Sequence, residues 1–490
     1  MRTQVIVVGA GPVGLMLACE LRLAGADVVV VERLLEPTGE SRASQLNSRT
    51  VEVLDQRGLL EALGEVQYQP SGHFGGLPLD MSGVDSVHPG HWKVPQFRTE
   101  AVLEERAGDL GAEIWRGHEL RDLSVGRDGV EAAVEGPRGG LELRARYLVG
   151  CDGERSVVRD LAGFDFPGTG ATRELFRADV AGIEVADRSF QRYERGLAIS
   201  ARRPDGVTRV MAHEFGSAAR DRDGPPSFEE VAAAWFRITG EDITGGSPIW
   251  VDSFGDANRQ VDLYRRGNVL LAGDAAHLQM PAGGQALNLG LQEAVNLGWK
   301  LAAQVCGRAP EGLLDSYHSE RHPVAARVLS NVGAQAHLLL GGPDMEPMRR
   351  LLRGMLEFDE VREHLTGMLS GLDVRYDVGG DGHPLLGARL PHCELVTDTG
   401  TTSTVECLRA GGGVLLELSP EERSGRDARK VLEPWRRRVL PVTARVPSGG
   451  ALDGLTRVLV RPDGHVVAVD PPPEELGSAL TAWFGAPEPS

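Results

Sequence analysis

The chain has 490 residues, with 70 Asp and Glu against 52 Lys and Arg and a formal net charge of −18. That length exceeds one ordinary core and predicts two or three, while the acidic balance argues against a nucleic acid or an anionic membrane as partner, since both require clustered Lys and Arg. Five widely spaced cysteines, Cys19, Cys151, Cys306, Cys393 and Cys407, form no C-x-x-C pair, and no histidines cluster at metal spacing, so a reducing cytoplasm and the absence of a metal centre are expected.

The opening run Gln4-Val5-Ile6-Val7-Val8 suits a strand buried on both faces of a parallel sheet. The uncharged segment from Val5 to Cys19 imitates a signal peptide, but glycines at dinucleotide-binding spacing and a second apolar strand behind it argue against that reading. Nothing else approaches the ~20 apolar residues of a membrane span. Val13, Leu17, Leu21 and Ala24 recur at helical spacing, Gly25 supplies a stop, and Asp27 to Glu32 is again apolar and ends in an acid. This is a βαβ unit.

Residues 69–100 are rich in Gly, Pro and His, 101–110 reads as a helix, and 130–149 as two strands about the turn Pro137-Arg138-Gly139-Gly140, the sheet resuming at Tyr147-Leu148-Val149-Gly150. Between 172 and 262 short alternating stretches, such as Gly196 to Ala201 and Thr208 to Phe215, surround one helix near 227–239, which predicts an inserted, mostly antiparallel substrate-binding layer. Asn268 to Ala272 is another buried strand, and Leu287, Leu291, Ala294, Leu297 and Leu301 mark a long helix with one apolar face. Past a linker at Gly379-Gly380-Asp381-Gly382 come strand 414–418, a helix near 421–436, strands 439–445, 456–461 and 465–469, and helix 474–484. The turn Arg461-Pro462-Asp463-Gly464 suits a tight hairpin. That order resembles a thioredoxin-like domain, without its cysteine pair.

Three motifs carry the chemistry. Gly9-Ala10-Gly11-Pro12-Val13-Gly14 matches G-x-G-x-x-G between a strand and a helix, where small residues let the backbone approach a pyrophosphate and the helix N-terminus faces its charge. Glu32, at the end of the second strand, is placed to accept hydrogen bonds from an adenosine ribose. This fingerprint alone does not separate FAD from NAD. Tyr147 to Ser156 then runs from strand through Asp152-Gly153 to a basic and hydroxyl cluster ending at Arg159, and Gly273-Asp274 is followed by Pro281 and Gly283-Gly284-Gln285-Ala286-Leu287-Asn288. The Asp274 carboxylate can meet sugar-like hydroxyls, and the glycines let a flat ring lie against backbone.

In this order the three motifs resemble the class A FAD-dependent aromatic hydroxylases, the family of para-hydroxybenzoate and phenol hydroxylases, and the resemblance covers essentially the whole chain. More narrowly, Ser41 to Thr50, Pro95-Gln96 before Thr99-Glu100, Gly163 to Gly168, Asn296 to Leu301 and Tyr376 to Gly380 look like bacterial hydroxylases of angucycline- and anthracycline-type aromatic polyketides. The implied fold is α/β: a Rossmann-like FAD-binding domain in two parts, 1–171 (with 70–100 available to the substrate layer) and 263–383, an inserted substrate-binding sheet at 172–262, and a thioredoxin-like domain at 384–490. The resemblance implies that Gly9, Gly11, Pro12 and Gly14 cradle the pyrophosphate, Glu32 binds ribose and Arg33 packs by the adenine. It places Arg42 and Gln96 near the ribityl and flavin region, Asp274 on the ribityl-pyrophosphate chain, and Pro281, Gly283, Gly284 and Asn288 beside the isoalloxazine. Asp152 and Arg159 belong to a motif associated with both FAD and nicotinamide. Two departures stand out: Ala286 where the family usually has glycine, and Ala468 in place of a tryptophan often seen late in the thioredoxin-like domain.

The activity so implied is monooxygenation: NADPH or NADH reduces FAD, dioxygen forms a C4a-hydroperoxide, and one oxygen passes to a polycyclic phenol, the protein supplying position and a dry site. Baeyer–Villiger insertion into a polycyclic ketone and a non-catalytic flavin-binding role in a biosynthetic complex are the alternatives. No protein general base is assigned. His277 reads as satisfying backbone at a turn, Tyr193, His213 and Trp250 as packing, and Arg436-Arg437-Arg438 as a solvated helix end.

Overall fold

The computed structural model describes residues 1–38, 43, 45–203, 205–222, 224–380, 382–418 and 428–488. Its central sheet has the spatial order 265–266, 269–271, 147–150, 5–8, 28–32, 113–116, with all neighbours parallel except the first pair. The strands Val5–Val8, Tyr147–Gly150 and Val269–Leu271 are wholly buried, as continuous apolar runs require. Their register is level: Val8 pairs with Val31 and Gly150, and Gly150 with Leu271. Four chain segments therefore leave the sheet at one height on one edge.

Helices Pro12–Leu23 and Gln285–Val305 share a core with these strands, to which the meander 119–145 adds Leu120, Ala132, Val134 and Leu143. The helix expected at 101–110 runs from Gln96 to Asp109, because Pro95, extended at ψ 139°, forms its N-terminal boundary and Arg98 N–H donates back to the Pro95 carbonyl.

The inserted layer is a five-stranded antiparallel sheet in the order 188–192, 196–202, 208–214, 174–181, 247–255. Ala178, Val180, Ala198, Val210 and Ala212 pack against Val231, Ala232, Trp235 and Ile238 of helix Phe228–Thr239. A Ser227–Glu230 capping box opens that helix and Gly240, at φ 77°, closes it. A separate hairpin, Ser71–Phe74 with Leu77–Asp80, buries Phe74, Leu77 and Leu79 against Leu338, Leu356 and Leu369.

The C-terminal sheet runs 439–443, 413–417, 457–460, 466–469, with one parallel and two antiparallel pairs, and helix Pro473–Phe484 packs on it with Trp435 and Leu432. This is the mixed sheet of a thioredoxin-like domain. Ala468 is buried in that core. Of the helix expected near 421–436, residues 428–432 are α-helical and Glu433–Trp435 continue as a 3-10 turn, while 421–427 and Asp381 of the linker lie outside the described residues. Arg436 and Arg437 are exposed as expected, but Arg438 is not solvated: it donates to the carbonyls of Phe484 and Ala486 and so ties down the last helix.

The hairpin at 461–464 inserts into the body of the molecule. Arg461, fully buried, pairs with both carboxylate oxygens of Glu320 at 2.6 and 2.8 Å and with Asp463. Lys300 reaches Glu320 at 2.7 Å, Arg49 donates to the Asp463 carbonyl at 2.8 Å, and Arg57, paired with Glu20, donates to the Pro462 carbonyl at 2.9 Å.

Candidate functional site

At the common edge of the sheet the first turn is built by exclusion. Gly9, at φ 105°, donates its N–H to the Val31 carbonyl, and a Cβ there would lie 2.4 Å from the Cys151 carbonyl oxygen. A Cβ on Gly14 would lie 2.0 Å from the Gly9 carbonyl oxygen. Gly11 is different: its Cβ would meet nothing within 4 Å, and its backbone is extended rather than left-handed. Two glycines thus close the turn on the sheet, while the third leaves a gap in front of the N-terminus of helix Pro12–Leu23. That terminus has no side-chain cap, and Pro12 at its first position brings no N–H. Its remaining amides and the macrodipole favour an anion there.

Glu32 stands beside the gap. Its carboxylate accepts from Ala10 N–H at 2.7 Å and from Leu34 N–H at 2.9 Å, which fixes it against the glycine turn; Arg33 next to it is exposed. Asp152 caps the next turn, accepting from Ser156 Oγ at 2.6 Å and Val158 N–H at 3.1 Å, and burial raises its pKa against those hydrogen bonds. Arg159 donates to the carbonyls of Glu154 and Ala275 and lies 4.1 Å over the Phe166 ring, so it joins the Asp152 turn to the Asp274 turn.

The Gly273–Asp274 turn is held from beneath by a residue that no motif indicates. Gly273, at φ 64°, donates its N–H to Glu293 Oε2 at 2.8 Å, and His277 Nε2 lies 3.0 and 3.1 Å from the two Glu293 oxygens. Both side chains are fully buried. His277 is therefore not satisfying backbone, as the sequence suggests. Burial disfavours its cation, but the Glu293 carboxylate outweighs burial and raises its pKa, and His277 in turn holds that of Glu293 low. The signal is in the sequence: Glu293 is the only charged residue between Gln285 and Trp299.

Gly283 and Gly284 both take left-handed backbone, at φ 67° and 65°, ahead of helix Gln285–Val305, with Pro281 exposed and Ala286 half-buried. Asn288 is committed to bracing: its amide donates to the Gly284 and Gln45 carbonyls, and its oxygen accepts from Asn47 N–H. Gln96 exchanges hydrogen bonds with the backbone of Ala43. Arg42 lies outside the described residues. Among the presumed packing residues, His213 contacts the carbonyls of Glu174 and Leu340, Tyr193 accepts from Arg188, and Trp250 lies under Arg177.

The site can thus hold a long ligand with an anionic middle over Gly11, hydroxyls towards Glu32 and Asp274, and a flat ring at Gly283–Gly284. Among the described residues no cluster of ligating side chains could hold a metal ion, and no helix is long and apolar enough to cross a membrane.

Comparison with known proteins agrees with this geometry. Residues 2–332 match the FAD binding domain family model and 383–487 the aromatic-ring hydroxylase C-terminal model. The chain is 43% identical to a 12-dehydrotetracycline 5-monooxygenase/anhydrotetracycline 6-monooxygenase of Streptomyces rimosus, over 99% of this chain and 100% of that one. It is 39% identical, over 99% of both, to a dialkyldecalin synthase of Streptomyces rugosporus. The crystal structure of an aromatic hydroxylase from angucycline biosynthesis superposes with a TM-score of 0.96 at 52% identity, covering 100% of each chain. With the glycine cradle, the paired acids and a match to both halves of the family architecture, the chain belongs to the FAD-dependent aromatic-ring hydroxylases.

Proposed function

We propose that this protein is a monooxygenase that uses FAD, NADPH or NADH, and dioxygen to hydroxylate a polycyclic aromatic polyketide phenol. The observation that carries the reading is the gap over Gly11 at an uncapped helix N-terminus, with Glu32 beside it and the Asp274 turn on the same sheet edge. The tetracycline monooxygenase and the angucycline hydroxylase support the substrate class.

When bound, FAD supplies the redox chemistry that activates dioxygen for transfer of one oxygen atom. The residues of this chain supply position. Gly9, Gly11 and Gly14, with the Pro12 helix terminus, receive the pyrophosphate; Glu32 accepts from the ribose, with Arg33 by the adenine. Asp274 meets the ribityl chain, and Pro281, Gly283 and Gly284 flank the ring. Arg42 and Gln96 belong to the ribityl side, and Asp152 and Arg159 to the joint where nicotinamide approaches. Asn288 acts through the backbone it braces. The pyrophosphate assignment separates two glycines: Gly11→Ala should fold normally and lose FAD affinity at least about tenfold, because its methyl enters the gap, whereas Gly14→Ala should fail to fold. Full FAD occupancy in folded Gly11→Ala protein would remove the pyrophosphate from this turn.

The decisive test of the reaction is labelled dioxygen with NADPH and a panel of fused-ring phenols. One labelled oxygen is expected on a ring carbon ortho or para to a hydroxyl, the electron-rich positions. Label in a lactone would establish Baeyer–Villiger insertion instead. The synthase relative makes a third outcome concrete, since a product without label would show that the flavin fold here supports a reaction other than oxygen transfer.

A further inference from the structure

A cavity of about 540 Å³ lies between the inserted sheet and the helices that follow the flavin-bordering loop. Gly76 to Pro78, Phe190 to Glu194, Phe215 and helix Glu346–Met355 wall it. Its volume suits a fused polycycle. Gly75 links it to the flavin side: Gly75 N–H donates to Gln335 Oε1 at 3.1 Å, its carbonyl accepts from Arg349 at 2.6 Å, and Gln335 is the side chain that a Cβ on Gly283 would meet. One loop separates the cavity from the ring-bordering glycines.

The wall is built at a cost. Phe190 adopts φ 48°, a region other residues avoid, beside an irregularity in the 188–192 strand, and its ring packs on His73 at 4.0 Å. With Phe215 it offers aromatic faces.

The charges are asymmetric. Arg192 is spent on four carbonyls at 338–342 and on Glu346, whose carboxylate it holds at 2.8 Å. Arg349 is only 4% exposed: it donates to the Gly75 and Leu338 carbonyls at 2.6 and 2.8 Å, and its Nε, shut off from the cavity, lies 3.8 Å from Glu346. Arg353, at the rim, makes no hydrogen bond or ion pair among the described residues, and Glu194 is the other acid on the lining. Arg353 therefore keeps its guanidinium open to a ligand, and a planar fork matches a carboxylate.

Resting on the polycyclic-substrate reading, we propose that the natural substrate carries a carboxylate, received by Arg353 beside the Arg349 cation while its rings pack on Phe190 and Phe215. The probes are 4,5-dihydroxyanthraquinone-2-carboxylate and its methyl ester, titrated into the FAD-loaded enzyme with flavin absorbance as readout. The acid should bind about tenfold tighter than the ester, and the preference should shrink to within about threefold in Arg353→Gln and survive in part in Arg353→Lys. Equal binding of acid and ester, or a preference untouched by Arg353→Gln, would overturn the carboxylate assignment and leave the polycyclic reading standing. Failure of both probes to bind would overturn both. An unchanged flavin spectrum and melting temperature in each variant shows that the fold is intact.

Discussion

Glu293→Ala is expected to abolish FAD retention and to cost about 3–5 kcal/mol of stability, the range for removing one partner of a buried ion pair. The reason is geometric. Glu293 is the acceptor for Gly273 N–H and the counter-ion of His277, so its loss strands a buried imidazole and frees the turn that carries Asp274. Glu293→Gln keeps an oxygen for Gly273 and should retain most of the FAD. It should also change the pH profile. His277 has a raised pKa in the folded protein, so its contribution is complete below its ordinary value of 6.5 and is lost as pH rises through the raised one; Glu293→Gln removes that alkaline loss. Thermal unfolding between pH 6 and 9, with FAD counted per chain, checks both statements. Undiminished FAD in the alanine variant would show that the Asp274 turn holds without Glu293.

What the sequence reveals and what it hides follow from how far each interaction reaches along the chain. The opening βαβ unit is legible because its strands are continuous apolar runs and its glycines answer to local sterics: Gly9 and Gly14 exclude a Cβ through backbone atoms that any such turn brings near. The level register of 5–8, 147–150 and 269–271 is likewise implied once each is read as a parallel strand ending in a Gly or Asp turn. Partners distant in sequence are another matter. Asn288 looks like a flavin neighbour by motif, yet its bonds to 45 and 47 exist only because the fold brings helix Gln285–Val305 against that segment. Arg438 reads as the end of a charge run, and only the return of the last helix supplies the carbonyls it binds. The cavity beyond Gly75 combines segments from residues 76 to 353, and no spacing announces it.

The same distance rule hides the anchor of the C-terminal domain, whose loss is the second large effect expected. Arg461→Ala leaves Glu320, Lys300 and Asp463 buried with the charge balance broken, and should destabilise by about 3–5 kcal/mol at neutral pH. The acid limb identifies the cause. Burial opposes the Glu320 anion, but Arg461 and Lys300 outweigh it and bring its pKa from 4.5 to about 2, and Asp463 is lowered by the same guanidinium and His465. Unfolded carboxylates protonate first as pH falls, so this stabilisation is whole above 4.5 and drains away towards 2. His465 acts in the same direction: burial lowers its pKa from 6.5 to about 4, so the unfolded chain takes up its proton first between those values. The wild-type urea midpoint should therefore decline below pH 6.5 and steeply below 4.5. In Arg461→Ala it should start lower and fall less, because Glu320 has lost the larger of the two cationic influences that kept it ionised and retains only Lys300. Parallel declines in the two proteins, or stabilities at pH 7.5 within about 0.5 kcal/mol of each other, the range of an ordinary surface substitution, would mean that the hairpin at 461–464 is held by the hydrogen bonds of Arg49 and Arg57 to its backbone rather than by the Arg461 side chain.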